Sequence, residues 1–122
     1  MKIQASAENY LETIYVLSQR NNEVRSVDIA NELEYSKPSV SVAMKQLRNA
    51  GFILTNQAGF ITLTPEGLEI AQRVYERHSV LSALLESLGV DATVAAEDAC
   101  RIEHILSDES FEAIKSKLVG KF

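Results

Sequence analysis

The chain has 122 residues, 46% of them hydrophobic and 24% charged, with a net charge of −5, which suits one compact unit or a small domain with an extension. No apolar run approaches the roughly 20 residues of a membrane span, and the first residues lack a signal-peptide pattern. One cysteine rules out an internal disulfide, so the expectation is a cytoplasmic protein with no membrane partner.

Ser6 is expected to cap a first helix running to Arg20, because Tyr10, Leu11, Ile14, Tyr15 and Leu17 recur at helical spacing. Asn21 and Asn22 should end it. Ser26 then starts a short helix over 27–33, and the polar link Glu34-Tyr35-Ser36-Lys37 leads into a third helix. Pro38 suits the first turn of that helix, Val40, Met44 and Leu47 should face inward, and Gly51 should close it beyond Asn49. The β-rich stretches 52–55 and 60–63 flank Asn56-Gln57-Ala58-Gly59, which predicts a hairpin.

Thr64-Pro65-Glu66-Gly67 restarts helix, with Thr at the cap and Pro at the first position. This fourth helix should extend over 65–88 until Gly89 stops it. Asp91 should cap a fifth helix reaching Leu106, and Ser107 or Asp108 a sixth over 109–118. The fold class is therefore mainly α with a small β-hairpin. Helix, short helix, turn, helix and hairpin form the plan of a winged helix-turn-helix, placed at 1–64. A helical domain over 65–122 should follow, built for dimerisation and metal binding. Val94, Ala95, Ala99, Ile102 and Leu106, with Phe111, Ile114 and Leu118, predict apolar faces that a homodimer would cover.

Two tight helices with a polar link should project the second outward, exposing Ser36, Lys37, Pro38, Ser39, Ser41 and Lys45. Hydroxyls and amines there can reach phosphates and base edges of double-stranded DNA. Charge gives weaker support. Residues 1–64 carry Lys2, Arg20, Arg25, Lys37, Lys45 and Arg48 against Glu8, Glu12, Glu23, Asp28, Glu32 and Glu34, so the acidic surplus lies entirely in 65–122. A DNA binder usually needs a basic face, and bound cations would offset that surplus.

Cys100, Glu103 and His104 form a Cys-x-x-Glu-His cluster whose spacing puts thiolate, carboxylate and imidazole on one face of the fifth helix. Those three donors suit one divalent transition metal. His78, Glu12 and Asn9 are further candidates, Asn9 and Glu12 sharing a face by their i, i+3 spacing. Each has an ordinary reading alone: Cys100 as a small buried hydrophobe, His78 as a core or surface histidine, Glu12 as a solvated helix residue.

The chain resembles the diphtheria-toxin-repressor, or iron-dependent repressor, family along almost its full length. The resemblance rests on Asn9-Tyr10-Leu11-Glu12-Thr13-Ile14-Tyr15, Ser36-Lys37-Pro38-Ser39-Val40-Ser41, Leu63-Thr64-Pro65-Glu66-Gly67, Arg77-His78 and Asp98-Ala99-Cys100-Arg101-Ile102-Glu103-His104. In size the chain matches the short branch, the manganese transport regulators, without the SH3-like domain of longer members. Members are homodimeric repressors that bind a palindromic operator once Fe²⁺ or Mn²⁺ is bound, so the resemblance implies control of metal homeostasis genes. It implies that Cys100, Glu103 and His104 are principal ligands, with His78 additional and Glu12 matching an acid of the manganese branch. Asn9 departs from the Met or Asp usual there, though its amide oxygen can ligate. Ser82 and Ala96 stand where iron-type members place ligands of an ancillary site. Cys100 resembles the iron type, so Fe²⁺ is favoured and Mn²⁺ is the alternative, with Zn²⁺, Co²⁺ or Ni²⁺ as substitutes in vitro.

Two other readings compete. One is a metal-independent winged-helix regulator responding to a small molecule or to Cys100 oxidation. The other is an enzyme with Cys100 as nucleophile and His104 as base. No oxyanion-hole glycine or orienting partner accompanies that pair, so no enzyme is expected.

Overall fold

A computed structural model describes residues 5–21 and 23–118. Among them, six helices and one two-stranded antiparallel hairpin follow in the order α1 (Ala5–Arg20), α2 (Ser26–Leu33), α3 (Lys37–Asn49), β1 (Ile53–Thr55), β2 (Ile61–Leu63), α4 (Pro65–Ser87), α5 (Ala92–Ile102) and α6 (Asp108–Leu118). The chain forms two compact units, Met1–Gln72 and Arg73–Phe122, and the division falls within α4.

In the first unit Leu11, Ile14, Ile29, Val40, Met44, Leu47, Ile53 and Ile61 make one buried cluster. Each comes from the apolar stripe of its helix or the inward positions of the hairpin, as period 3.6 and period 2 require. Ser6 does not cap α1. The helix already includes Ala5, and Asn22, expected to help end it, lies outside the described residues.

The N-cap of α2 is Arg25 rather than Ser26, because the Asp28 carboxylate reaches back to accept from the Arg25 amide at 2.8 Å. Glu34 then turns the chain with φ 58° and ψ 39°, and Ser36 caps α3 by accepting from the Ser39 amide at 3.3 Å. At the far end of α3, Gly51 takes φ 86° and the Phe52 amide donates back to the Leu47 carbonyl, a left-handed stop.

The hairpin pairs Ile53 with Leu63 and Thr55 with Ile61. Gly59, at φ 87°, and Asn56 close its loop, the Asn56 side chain accepting from the Phe60 amide. The Ile61 amide also donates to the Val24 carbonyl at 2.7 Å, which anchors the wing to the chain entering α2.

The second unit contains the later turns of α4 with α5 and α6. Lys115 of α6 donates to Glu76 at 2.9 Å, and the Arg77 guanidinium lies 5.2 Å from the Phe111 ring centre, so α6 is tied to α4. Ala95, Ala99, Phe111 and Leu118, expected on a dimer face, are buried within the chain itself. Ile102, Leu106 and Ile114 are half-buried, and Val94 is exposed. Among the described residues, the large apolar side chains left most open are Ile105, at 79% exposure, and Leu88. No helix among the described residues is long and apolar enough to cross a membrane.

Candidate metal centre and nucleic-acid interface

Asp91 caps α5 by accepting from the Thr93 amide at 3.0 Å, and the helix carries Cys100 in its last turn. It ends at Ile102, short of the Leu106 expected from the sequence. Glu103 still has helical angles and its amide donates to Ala99, but the chain then tightens, with the Ile105 amide donating to Ile102 three residues back. The Arg77 side chain holds the chain beyond the stop. It donates to the Glu103 carbonyl at 3.2 Å and to the Leu106 carbonyl at 2.6 Å, supplying a donor to acceptors past the last helical turn. Ser107 begins the next element at once, its hydroxyl accepting from the Ser110 amide.

Glu103 and His104 therefore project from a turn beyond the helix. Their donor atoms and the Cys100 thiol nonetheless all lie within 4.8 Å of one another. Ligands about 2.0–2.3 Å from one ion stand no more than about 4.6 Å apart, so only a small closing adjustment is required. The Glu103 side chain is fully buried. Its Oε2 sits 3.0 Å from His78 Nδ1, while its Oε1 makes no hydrogen bond among the described residues and faces His104 Nε2 at 3.4 Å.

A buried carboxylate among imidazoles is costly unless positive charge joins it. Thiol, carboxylate and imidazole are a donor set for a divalent transition ion, and Oε1, without a hydrogen bond among the described residues, has an acceptor position available for it. The residues fit the metal that the sequence anticipates. Arg77 is the participant that sequence reasoning passed over, although its place beside His78 was the available signal.

The other candidates lie on different elements. Asn9 and Glu12 occupy successive turns of α1, Asn9 half-buried and Glu12 buried. Ser82 is half-buried on α4, where its Oγ lacks a hydrogen-bond partner among the described residues, and Ala96 is half-buried on α5.

All six residues expected to face DNA are exposed: Ser36, Lys37, Pro38, Ser39, Ser41 and Lys45, on α3 and its cap. Val40, Met44 and Leu47 hold the opposite face in the core. Val42, at 58% exposure one turn from Ser39 and Lys45, belongs to the outward face as well and was missed because a valine reads as core. An exposed methyl pair there can meet a thymine methyl. The wing tip Asn56-Gln57-Ala58-Gly59 carries no basic residue, while Arg48 at its base donates to Thr55 Oγ1 at 3.4 Å.

Residues 2–59 match the iron dependent repressor N-terminal DNA binding domain, and residues 64–120 the iron dependent repressor metal binding and dimerisation domain. The chain belongs to the iron-dependent repressor family. That family consists of metal-dependent transcriptional regulators, with one domain for DNA and another for dimerisation. The chain is 36% identical over 112 residues to an uncharacterized HTH-type transcriptional regulator of Methanocaldococcus jannaschii, covering 90% of each. It is 38% identical over 106 residues to the transcriptional regulator MntR of Salmonella typhimurium, covering 87% of this chain and 68% of MntR. The structure of the manganese regulator SloR matches with a TM-score of 0.81 and 30% identity over 92% of this chain. The chain spans about half the length of SloR, 53%.

Proposed function

We propose that this chain is a cytoplasmic transcriptional repressor that binds palindromic operator DNA as a homodimer when Fe²⁺ or Mn²⁺ is present, and so controls metal homeostasis genes. The observation that carries the reading is the convergence of Cys100, Glu103 and His104 around a buried carboxylate oxygen that makes no hydrogen bond among the described residues. Cys100, Glu103 and His104 are the principal ligands in this reading and His78 a further one, with Glu12 and Asn9 contributed by α1. Residues 1–64 read DNA, and 65–122 bind metal and dimerise.

The ion supplies positive charge and a rigid link among its ligands. Cys100 favours Fe²⁺ because thiolate is a softer ligand than Mn²⁺ prefers. The names of SloR and of the manganese-bound repressor that also matches, at 26% identity and a TM-score of 0.83, speak for Mn²⁺ as the alternative. On the DNA side, Lys37 and Lys45 face phosphates, while Ser36, Ser39 and Ser41 reach phosphates or base edges and Pro38 sets the first turn. Two such helices must stand about 34 Å apart to enter successive major grooves, so restricting the spacing raises the competent fraction and the apparent affinity.

Fluorescence anisotropy with a labelled operator fragment tests the proposal. Affinity should rise at least about tenfold on replacing chelator by micromolar Fe²⁺ (anaerobic) or Mn²⁺. Equal affinity under both conditions would overturn it.

A further inference from the structure

The geometry points to Arg77 as the positioning residue of the metal centre, the group that fixes the turn presenting Glu103 and His104. Arg77 is only 7% exposed. Its Nη1 donates to the carbonyls of Glu103 and Leu106, its Nη2 pairs with the Asp108 carboxylate, and its guanidinium lies against Phe111. None of these contacts is to a candidate ligand atom, so Arg77 acts on the backbone that carries the ligands.

Where α5 ends, the carbonyls of Glu103 and Leu106 lack helical partners of the usual kind, and a planar fork with five donors can serve both together with a carboxylate. Arg77 and His78 are consecutive, so neighbouring residues of α4 hold Glu103 by its main chain and by its carboxylate. Glu103 is thereby fixed from two directions before any ion arrives. Cys100 lies on the regular part of α5, where the helical ladder holds it without help from Arg77. Loss of the guanidinium should therefore split the ligand set, releasing Glu103 and His104 while sparing Cys100.

This inference rests on the metal-binding reading above. Its test uses the whole chain and Co²⁺ alone, which reports thiolate ligation by near-ultraviolet charge transfer and the remaining geometry by visible ligand-field bands. Arg77→Lys keeps charge and bulk but loses the fork. It should fold by circular dichroism, bind Co²⁺ about 10–100-fold more weakly, and at saturation retain thiolate charge transfer while its ligand-field bands change. Asp108→Asn alters only an exposed partner and should weaken binding about two- to fivefold with a wild-type spectrum.

A folded Arg77→Lys protein with wild-type affinity and spectrum overturns the inference. If that variant fails to fold, unchanged Co²⁺ affinity in Asp108→Asn overturns it instead. Absence of Co²⁺ binding by the wild-type chain removes the metal reading itself, an outcome visible before any variant is made.

Discussion

His78 Nδ1 stands 3.0 Å from Glu103 Oε2, joining α4 to the turn after α5 through an imidazole and a fully buried carboxylate. A carboxylate so placed contributes little to folding by itself, because its desolvation opposes whatever its partners return. Glu103→Gln preserves the shape and removes the charge. The expected outcome is an apo melting temperature equal to or above wild type, with divalent-metal affinity reduced at least about 100-fold by calorimetry. A variant that melts several degrees lower yet binds metal normally would make Glu103 a structural residue.

Lys45 projects from the outward face of α3, opposite the buried Val40, Met44 and Leu47. Lys45→Ala should weaken DNA binding to a similar extent on different sequences and lower the slope of log affinity against log salt by about 1, the loss of one phosphate contact. Anisotropy titrations at several salt concentrations check this. An unchanged slope with altered sequence preference would move Lys45 from the backbone to a base edge.

Gly67 sits so close to the hairpin that an added Cβ would lie 2.0 Å from the Phe52 carbonyl oxygen. Thr64 braces the same junction, its hydroxyl donating to the Gly51 carbonyl at 2.7 Å and accepting from the Gly67 amide at 3.1 Å. Backbone must therefore shift in Gly67→Ala, and a destabilisation of about 2 kcal/mol or more is expected despite the better helix propensity of alanine. Urea unfolding reads it directly; a variant as stable as wild type would mean that the junction relaxes freely.

Glu34 ends α2 with φ 58°, a left-handed conformation that side chains disfavour. Glu34→Gly should stabilise the chain by about 0.5–1 kcal/mol, since relief of strain at this position outweighs the added freedom of the unfolded chain. The same denaturation experiment decides it, and a loss of stability would show that the glutamate side chain contributes more than its backbone costs.

Much of this was legible in the residues. Val40, Met44 and Leu47 on α3, the Gly51 and Gly89 stops and the Asp91 cap all follow from local rules of spacing and capping. The candidate ligands Cys100, Glu103 and His104 were chosen on an assumed continuous helix, and their donor atoms converge even though that helix ends at Ile102. Past that stop the chain is held by Arg77, 26 residues from Glu103 in sequence, and no local pattern encodes a guanidinium reaching over that distance. Burial of Ala95, Ala99 and Phe111 inside the chain was hidden for the same reason: periodicity marks an apolar face without naming what covers it.

Ile105, between His104 and Leu106, turns its side chain almost wholly to solvent while its neighbours serve the ligand cluster and the Arg77 clamp. In the proposed reading the short loop that carries candidate ligands therefore also carries the most water-exposed large hydrocarbon side chain described. Self-association through that side chain would enter any metal isotherm collected at a single protein concentration, and a dilution series is the natural way to separate the two.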